Sequence, residues 1–83
     1  MTVWTLTYNW MEIEKDNPAM DSILLNVYAT KNLAKKAMEK ETDFVKDSPS
    51  FHMEDEFASV DLADRHYVWE IEEWEVKDEN KGD

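Results

Sequence analysis

Carboxylates are the most abundant reactive side chains in this sequence, with 20 Asp and Glu among 83 residues. The most regular group lies near the C-terminus, where Glu70, Glu72 or Glu73, and Glu75 recur at about every second position. On a β-strand such residues share one face and lie about 6.6 Å apart. They would then present negative charge at regular intervals, as a nucleic-acid backbone does. The chemistry that this pattern predicts is electrostatic binding to a basic surface.

Further acids precede this row and could extend the same surface: Glu54, Asp55, Glu56, Asp61 and Asp64. Residues 41–64 carry a net charge of −7 and residues 66–83 carry −5, whereas residues 31–40 carry +3. The alternative interpretation is that each acidic run is only a solvated face that raises solubility. One continuous acidic face would favour a binding function, and scattered acids would favour solubility alone.

Metal and catalytic chemistry have little support in the sequence. The two histidines, His52 and His66, are 14 residues apart. Although His52 lies near Glu54 and Asp55, which could complete a zinc or iron site, such neighbours are expected by chance in an acidic chain. No serine lies in a nucleophile motif, and a single Gly leaves no phosphate-binding loop. Cysteine is absent, which excludes disulfides and thiolate sites. We expect no metal, no cofactor and no enzymatic activity.

The overall charge narrows the range of partners. A net charge of −11 and a pI near 4.4 disfavour direct binding to nucleic acid or to anionic membranes. The +3 patch within residues 31–40 leaves direct contact with nucleic acid as a lesser alternative. No run approaches the roughly 20 apolar residues of a membrane span, and no signal peptide is visible. We expect a cytoplasmic protein.

Three segments have the alternation of β-strands. Residues 3–13 place Trp4, Leu6, Tyr8 and Trp10 on one face, and residues 23–29 form a second apolar run. These two segments predict an antiparallel hairpin. The third strand begins near Tyr67, and its apolar phase shifts by one residue after Glu72 and Glu73, so that Trp74 and Val76 continue the apolar set. This shift predicts a β-bulge, with the glutamates facing away from the aromatic side.

A helix is predicted over residues 31–47, with Thr30 as its N-cap. Its apolar face would contain Leu33, Ala34, Ala37, Met38, Phe44 and Val45. Glu41 falls near the middle of that face, so either the helix ends near Lys40 or Glu41 binds a cation such as Arg65. Residues 51–65 are compatible with a loop, a helical turn or a strand.

These elements predict an α+β fold. It would have two layers, a mainly antiparallel sheet of three or four strands in the order β-β-α-β, and one helix on one face. Residues 1–77 would form a single domain, followed by a disordered acidic tail at residues 78–83. Trp10 and Trp74 are expected to remain partly exposed, either as contacts for a partner or as the rim of a small core.

Three features of the chain occur together in a known class of proteins. They are the acidic row at residues 70–75, the acidic cluster at residues 54–56 and the two tryptophans expected to be exposed. The chain resembles the small acidic inhibitors that bacteriophages encode against host defences, the anti-CRISPR, anti-restriction and DNA-mimic proteins. The likeness is one of overall character without a shared motif, and the lysines of residues 31–40 depart from a uniformly acidic mimic. It implies action in the host cytoplasm.

Two functions follow as expectations. The first is a non-enzymatic protein, monomeric or homodimeric, that occupies a basic, nucleic-acid-binding surface of a host protein. Its contact residues would be Glu54, Asp55, Glu56, Asp61, Asp64, Glu70, Glu72, Glu73, Glu75, Trp10 and Trp74. The second is a regulatory or antitoxin-like module that binds through the exposed tryptophans and an unpaired sheet edge.

Overall fold

Five antiparallel strands and one helix form the described part of the chain, residues 1–13 and 16–77 of a computed structural model. In chain order they are β1 (Thr2–Glu12), β2 (Met20–Tyr28), α1 (Lys31–Thr42), a 3₁₀ turn (Asp43–Val45), β3 (His52–Met53), β4 (Phe57–Leu62) and β5 (Arg65–Glu75). The strands form one open sheet in the order β2-β1-β5-β4-β3. The α+β class is confirmed, although the sheet has five strands instead of three or four. The predicted tail, residues 78–83, lies outside the described residues.

The predicted hairpin of β1 and β2 is confirmed, and β2 is an edge strand of the sheet. Leu6 is opposite Asn26 and Thr7 is opposite Leu24, so Leu25 is an extra residue without a counterpart on β1. This irregularity is a β-bulge in the edge strand, at a place where bulges are common. No clear sign of the bulge is present in the sequence, because the run Ile23, Leu24 and Leu25 is apolar on both faces.

The bulge predicted in β5 is wrong. β5 pairs with β1 without interruption, from Thr2 opposite Glu75 to Glu12 opposite Arg65. Alternation therefore continues through the strand, and Trp74 points to the sheet face opposite Trp69. Glu75 is accommodated on the Trp69 face because its carboxylate accepts hydrogen bonds from the Thr2 hydroxyl at 2.8 Å and the N-terminal ammonium at 3.1 Å.

The segment that the sequence left open contains β3 and β4. The weak alternation of Ala58, Val60 and Leu62 is that of a strand, with Ala58 and Val60 fully buried. Beside β4, the Ser50 hydroxyl accepts from the Asp61 amide at 3.0 Å and donates to the Asp61 carbonyl at 2.9 Å. A side chain thus satisfies the backbone groups of Asp61 at this second sheet edge, beyond the short pairing of β3.

The helix begins as predicted, since the Thr30 hydroxyl accepts from the Leu33 amide at 3.2 Å. It ends at Thr42, earlier than predicted, and continues as the 3₁₀ turn. Glu41 is exposed, and the buried position belongs to Thr42, whose hydroxyl donates to the Met38 carbonyl at 2.8 Å. The helix thus ends two residues after Lys40, close to where the first alternative placed its end, and Arg65 is not the partner of Glu41 in the described residues.

One side of the sheet packs against the helix and forms the core. Leu6, Trp69 and Ile71 lie on the central strands and are almost completely buried. The helical segment contributes Ala34, Met38 and Val45, whereas the predicted stripe residues Leu33 and Phe44 remain 50% and 75% exposed. In the described residues no helix is long and apolar enough to cross a membrane.

Candidate functional site

The sheet face opposite the helix has no cover from the described residues, and none of its side chains is buried. Side chains that lie opposite each other on paired strands share a face, so the strand register defines its members. We call it the open face: Val3, Thr5, Thr7, Asn9 and Met11; Met20, Ser22, Leu24 and Val27; His66, Val68, Glu70, Glu72 and Trp74; Phe57, Ser59 and Asp61; and His52.

The open face has an apolar part on β2 and its neighbours. Met20 is 64% exposed, Leu24 57% and Val27 47%, and Met11 lies beside them on β1. At the opposite end Trp74 is 52% exposed, and its indole Nε1 donates to the Thr5 hydroxyl at 3.0 Å. Contiguous apolar surface of this kind on a folded protein marks sites of interaction.

The charged side chains of the open face differ from those of the helix side, where acids such as Glu73 and Glu75 occur together with lysines. The open face contains three carboxylates, Asp61, Glu70 and Glu72, and neither Lys nor Arg. Lysines lie instead on α1, across the sheet. The open face therefore combines exposed apolar side chains with net negative charge, which complements a basic surface.

The structure divides the residues predicted to bind a partner into three groups. Asp61, Glu70, Glu72 and Trp74 lie together on the open face. The continuous row of glutamates does not form, because without a bulge Glu73 and Glu75 point to the helix side. Glu54, Asp55 and Glu56 follow β3 in the turn to β4, and Asp64 is exposed in the turn to β5. Trp10 is on the helix side and half-buried.

The turn acids are neutralised in part by the helix. Asp55 accepts from the Lys35 ammonium at 2.6 Å and from the Lys31 ammonium at 2.9 Å. The Lys35 hydrogen bond, followed by that of Lys31, lowers the pKa of Asp55 to about 2. Lys31 also lies 3.5 Å from Glu56. Two of these three acids thus connect the sheet to the helix, and they are less available to a partner than the acids of the open face.

Trp10 is covered by Arg65, which the sequence analysis considered as a possible ion-pair partner of Glu41. The Arg65 guanidinium lies 4.5 Å from the centre of the Trp10 ring, a cation–π contact. Beside it Tyr8 stacks on Tyr67 at 6.0 Å between ring centres. Burial, and then the nearby Tyr67, raise the pKa of Tyr8, while Arg65 acts in the opposite direction. These contacts describe a rim that closes one end of the core.

A groove of about 510 Å³ crosses the open face over strands β2, β1 and β5. Its floor is the cross-strand row Ser22, Asn9 and Val68, and its walls are the neighbouring rows, with Met20, Met11 and His66 on one side and Glu70 on the other. Short side chains of the floor therefore lie beside the longer side chains of Met20, Met11, His66 and Glu70. Its flanks are completed by Trp10 and Asp21.

Glu70 is the carboxylate that faces this groove. The Asn9 side-chain amide donates to Glu70 Oε1 at 3.0 Å, which fixes the position of the half-buried carboxylate. Glu70 has no cationic partner among residues 1–13 and 16–77. Asn9 therefore orients an acid that retains its capacity to bind a cation.

Both histidines pair with carboxylates on or next to the open face. His66 Nδ1 is hydrogen-bonded to Asp61, and His52 Nε2 lies 2.8 Å from Glu54. Within the described ranges no three His, Asp or Glu side chains converge to form a metal site. His52 thus has the acidic neighbour that the sequence suggested, in a pair that contains two potential ligands.

Sequence analysis missed the groove and its lining residues Asn9, Met11, Met20 and Val68. They come from three strands, and only the register brings them together. One signal was present: Val3, Val68 and Leu24 are apolar at strand positions that would otherwise be polar on a solvated face. Comparisons of this chain with models of known protein families, with curated proteins and with solved structures found no match.

Proposed function

We propose that this protein is a non-enzymatic binding protein whose open face occupies a basic surface of a partner protein. The partner class that we propose is a nucleic-acid-binding protein of a host cell, with inhibition as the result. The observation that carries the proposal is the charge of the uncovered sheet face, which has the carboxylates Asp61, Glu70 and Glu72 and neither Lys nor Arg.

The apolar part of the open face supports a protein as the partner. Met20, Leu24 and Trp74 are each more than half exposed, and binding would remove this surface from water. A nucleic-acid backbone would be repelled by the carboxylates and could not use the apolar side chains. A basic groove of a protein supplies cations together with apolar walls, and both match this face.

Electrostatic steering gives the proposal a measurable signature. Complementary charge accelerates association and makes it sensitive to salt. The acidic character and small size that this chain shares with phage-encoded inhibitors agree with such a role in the host cytoplasm. Solvent-exposed histidine–carboxylate pairs and a groove open to water support binding over catalysis, because catalytic carboxylates are tuned by burial.

The test uses matched charge reversals. Glu70→Lys/Glu72→Lys reverses two acids of the open face, and Glu39→Lys/Glu41→Lys makes the same change on exposed helix positions. Immobilised wild-type protein and both variants are exposed to nuclease-treated bacterial lysate. We expect one partner that is retained by the wild type and the helix variant, lost by the open-face variant, and released by salt or by duplex DNA. Equal retention by both variants, or release insensitive to salt and DNA, would contradict the proposal.

The second candidate function is the regulatory or antitoxin-like module that binds through a sheet edge. The observation in its favour is β2, where every residue is at least partly exposed and Ile23, Leu24 and Leu25 form an apolar run. An added strand would pair with this edge. Leu24→Pro removes an edge donor and an apolar side chain but no charge, and Leu24→Ala removes the side chain alone. Loss of the partner with Leu24→Pro, but not with Leu24→Ala or Glu70→Lys/Glu72→Lys, would favour the edge.

A further inference from the structure

We propose that the groove on the open face binds a single arginine side chain of the partner. The inference rests on the proposed function, because it names the group by which the basic partner would be recognised. Three features carry it: the apolar wall of Met11 and Met20, the Glu70 carboxylate that Asn9 orients, and a lining that has neither Lys nor Arg among the described residues.

The shape of the groove suits a long, narrow side chain. Three neighbouring strands place their axes about 10 Å apart from first to last, which sets the length of the floor. The floor side chains Ser22, Asn9 and Val68 are short, and Met11 and Met20 rise beside them. An aliphatic stem can lie against the methionines, whose flexible thioethers adapt to its shape.

The chemistry of the groove suits a cation at the end of that stem. Asn9 occupies Oε1 of Glu70 at 3.0 Å, and Oε2 has no partner among the described residues. A guanidinium presents a planar set of N–H donors, is weakly hydrated, and loses less than an ammonium when it leaves water. Arginine should therefore be preferred over lysine.

Other ligand classes fit less well. An anion would be repelled by the Glu70 carboxylate. A purely apolar ligand would cover the Glu70 carboxylate without replacing its hydration, which is unfavourable. A cationic side chain with an apolar stem is the class that satisfies both the walls and the acid.

The probe for this site is N-acetyl-arginine amide, titrated into the labelled full-length protein and followed by NMR. We expect saturable shifts of the Asn9 side-chain amide and of the Val68 backbone amide. The lysine analogue should bind more weakly, and the neutral citrulline analogue, which has nearly the same shape, should not bind. Equal shifts with citrulline, or shifts confined to residues outside the groove, would overturn the inference.

Variants separate the groove from general acidity. Glu70→Gln should weaken arginine binding roughly tenfold or more, because a charged hydrogen bond is lost. Glu41→Gln, an equal change at an exposed helix position outside the groove lining, should bind like the wild type. Ser22→Trp fills the floor at an exposed edge position without a change of charge, so it should block binding even if Glu70→Gln does not fold. Unchanged binding in Ser22→Trp would refute the groove as the site.

The two proposals can fail separately. If arginine amide does not bind and Glu70→Lys/Glu72→Lys still loses its partner, the arginine inference is wrong and the proposed function stands. If arginine amide binds in the groove and the open-face variant retains every partner, the site exists and the proposed function is wrong.

Discussion

The two faces of the sheet differ in the solvent exposure of their apolar side chains. On the covered face Leu6 and Trp69 are almost completely removed from water by the helix. On the open face Leu24 and Trp74, of the same residue types, are more than half exposed. Hydrophobic content alone therefore does not identify the core of this small protein, because the position of one helix determines which face of the sheet is buried.

The dimensions of the helix explain why even the covered face needs further side chains to close it. Twelve residues of α-helix extend about 18 Å, whereas eleven residues of strand extend about 36 Å. α1 has 12 residues and β1 and β5 have 11 each. A single helix cannot cover even one side of the central strands completely, and at one end the ring contacts of Tyr8, Tyr67 and Trp10 complete the closure.

The largest expected effect comes from a matched pair of leucine truncations. Leu6→Ala leaves a cavity in the covered face and should lower the free energy of unfolding by about 2–5 kcal/mol. Leu24→Ala on the open face should change it by about 0.5 kcal/mol or less. Chemical denaturation of both variants measures the difference. A large loss for Leu24→Ala would mean that the open face is covered in solution.

A smaller effect is expected at Trp69, the largest side chain of the covered face. Its indole Nε1 is buried and has no hydrogen-bond partner among residues 1–13 and 16–77. Trp69→Phe removes this unsatisfied donor, whose burial costs about 1–3 kcal/mol, and thereby offsets part of the lost packing. We expect a net loss of about 1 kcal/mol, measured by denaturant unfolding. A loss of about 3 kcal/mol or more for Trp69→Phe, as large as the 3–5 kcal/mol typical of Trp→Ala, would contradict the role of the orphan donor.

The smallest effect concerns the ion pairs that join the helix to the sheet. The pKa of Asp55 is lowered from 3.8 to about 2 by the lysines, so its contribution is present at neutral pH and disappears as the pH falls from about 4 to about 2. Asp55→Asn should therefore have a lower Tm than the wild type at pH 7, with a difference that narrows over this acidic range. Thermal melts at several pH values test it.

The control for that titration is Glu41→Gln, at an exposed helix position with no ion pair in the described part of the chain. The difference in Tm between Glu41→Gln and the wild type should not narrow between pH 4 and pH 2 as it does for Asp55→Asn. A gap for Asp55→Asn that stays constant across the range would show that the lysine contacts contribute nothing.

Local patterns predicted the elements with strong signals. The alternation of Trp4, Leu6 and Tyr8 predicted β1, and Thr30 marked the helix start, because both signals act within a few residues. The α+β class followed from their order. The short β3 and β4 were harder to identify, since weak alternation in Ala58, Val60 and Leu62 is typical of loops as well as strands.

Errors arose where one pattern has two physical explanations. A shift in apolar phase can reflect an extra residue or an apolar side chain on the other face. In β5 the shift reflects an apolar side chain on the other face: Trp74 lies on the open face, where its indole donates a hydrogen bond to the Thr5 hydroxyl. The predicted row of glutamates depended on the bulge, so that prediction is wrong as well. The groove could not be predicted because Ser22, Asn9 and Val68 are brought together only by the pairing of strands distant in sequence. The prediction of an exposed Trp74 is confirmed.

The two edges of the sheet differ in their capacity to pair with a strand of another molecule, which limits how many copies of the chain could assemble through strand pairing. At β2 the amides of Ser22 and Val27 are bonded only to the side-chain oxygens of the preceding Asp21 and Asn26, contacts that a neighbouring strand could displace. At the far edge β3 has two residues, and Ser50 already satisfies both backbone groups of Asp61. Strand pairing between copies would thus be one-ended: two molecules could join through β2, and the pair would expose no second long edge from which a filament could propagate.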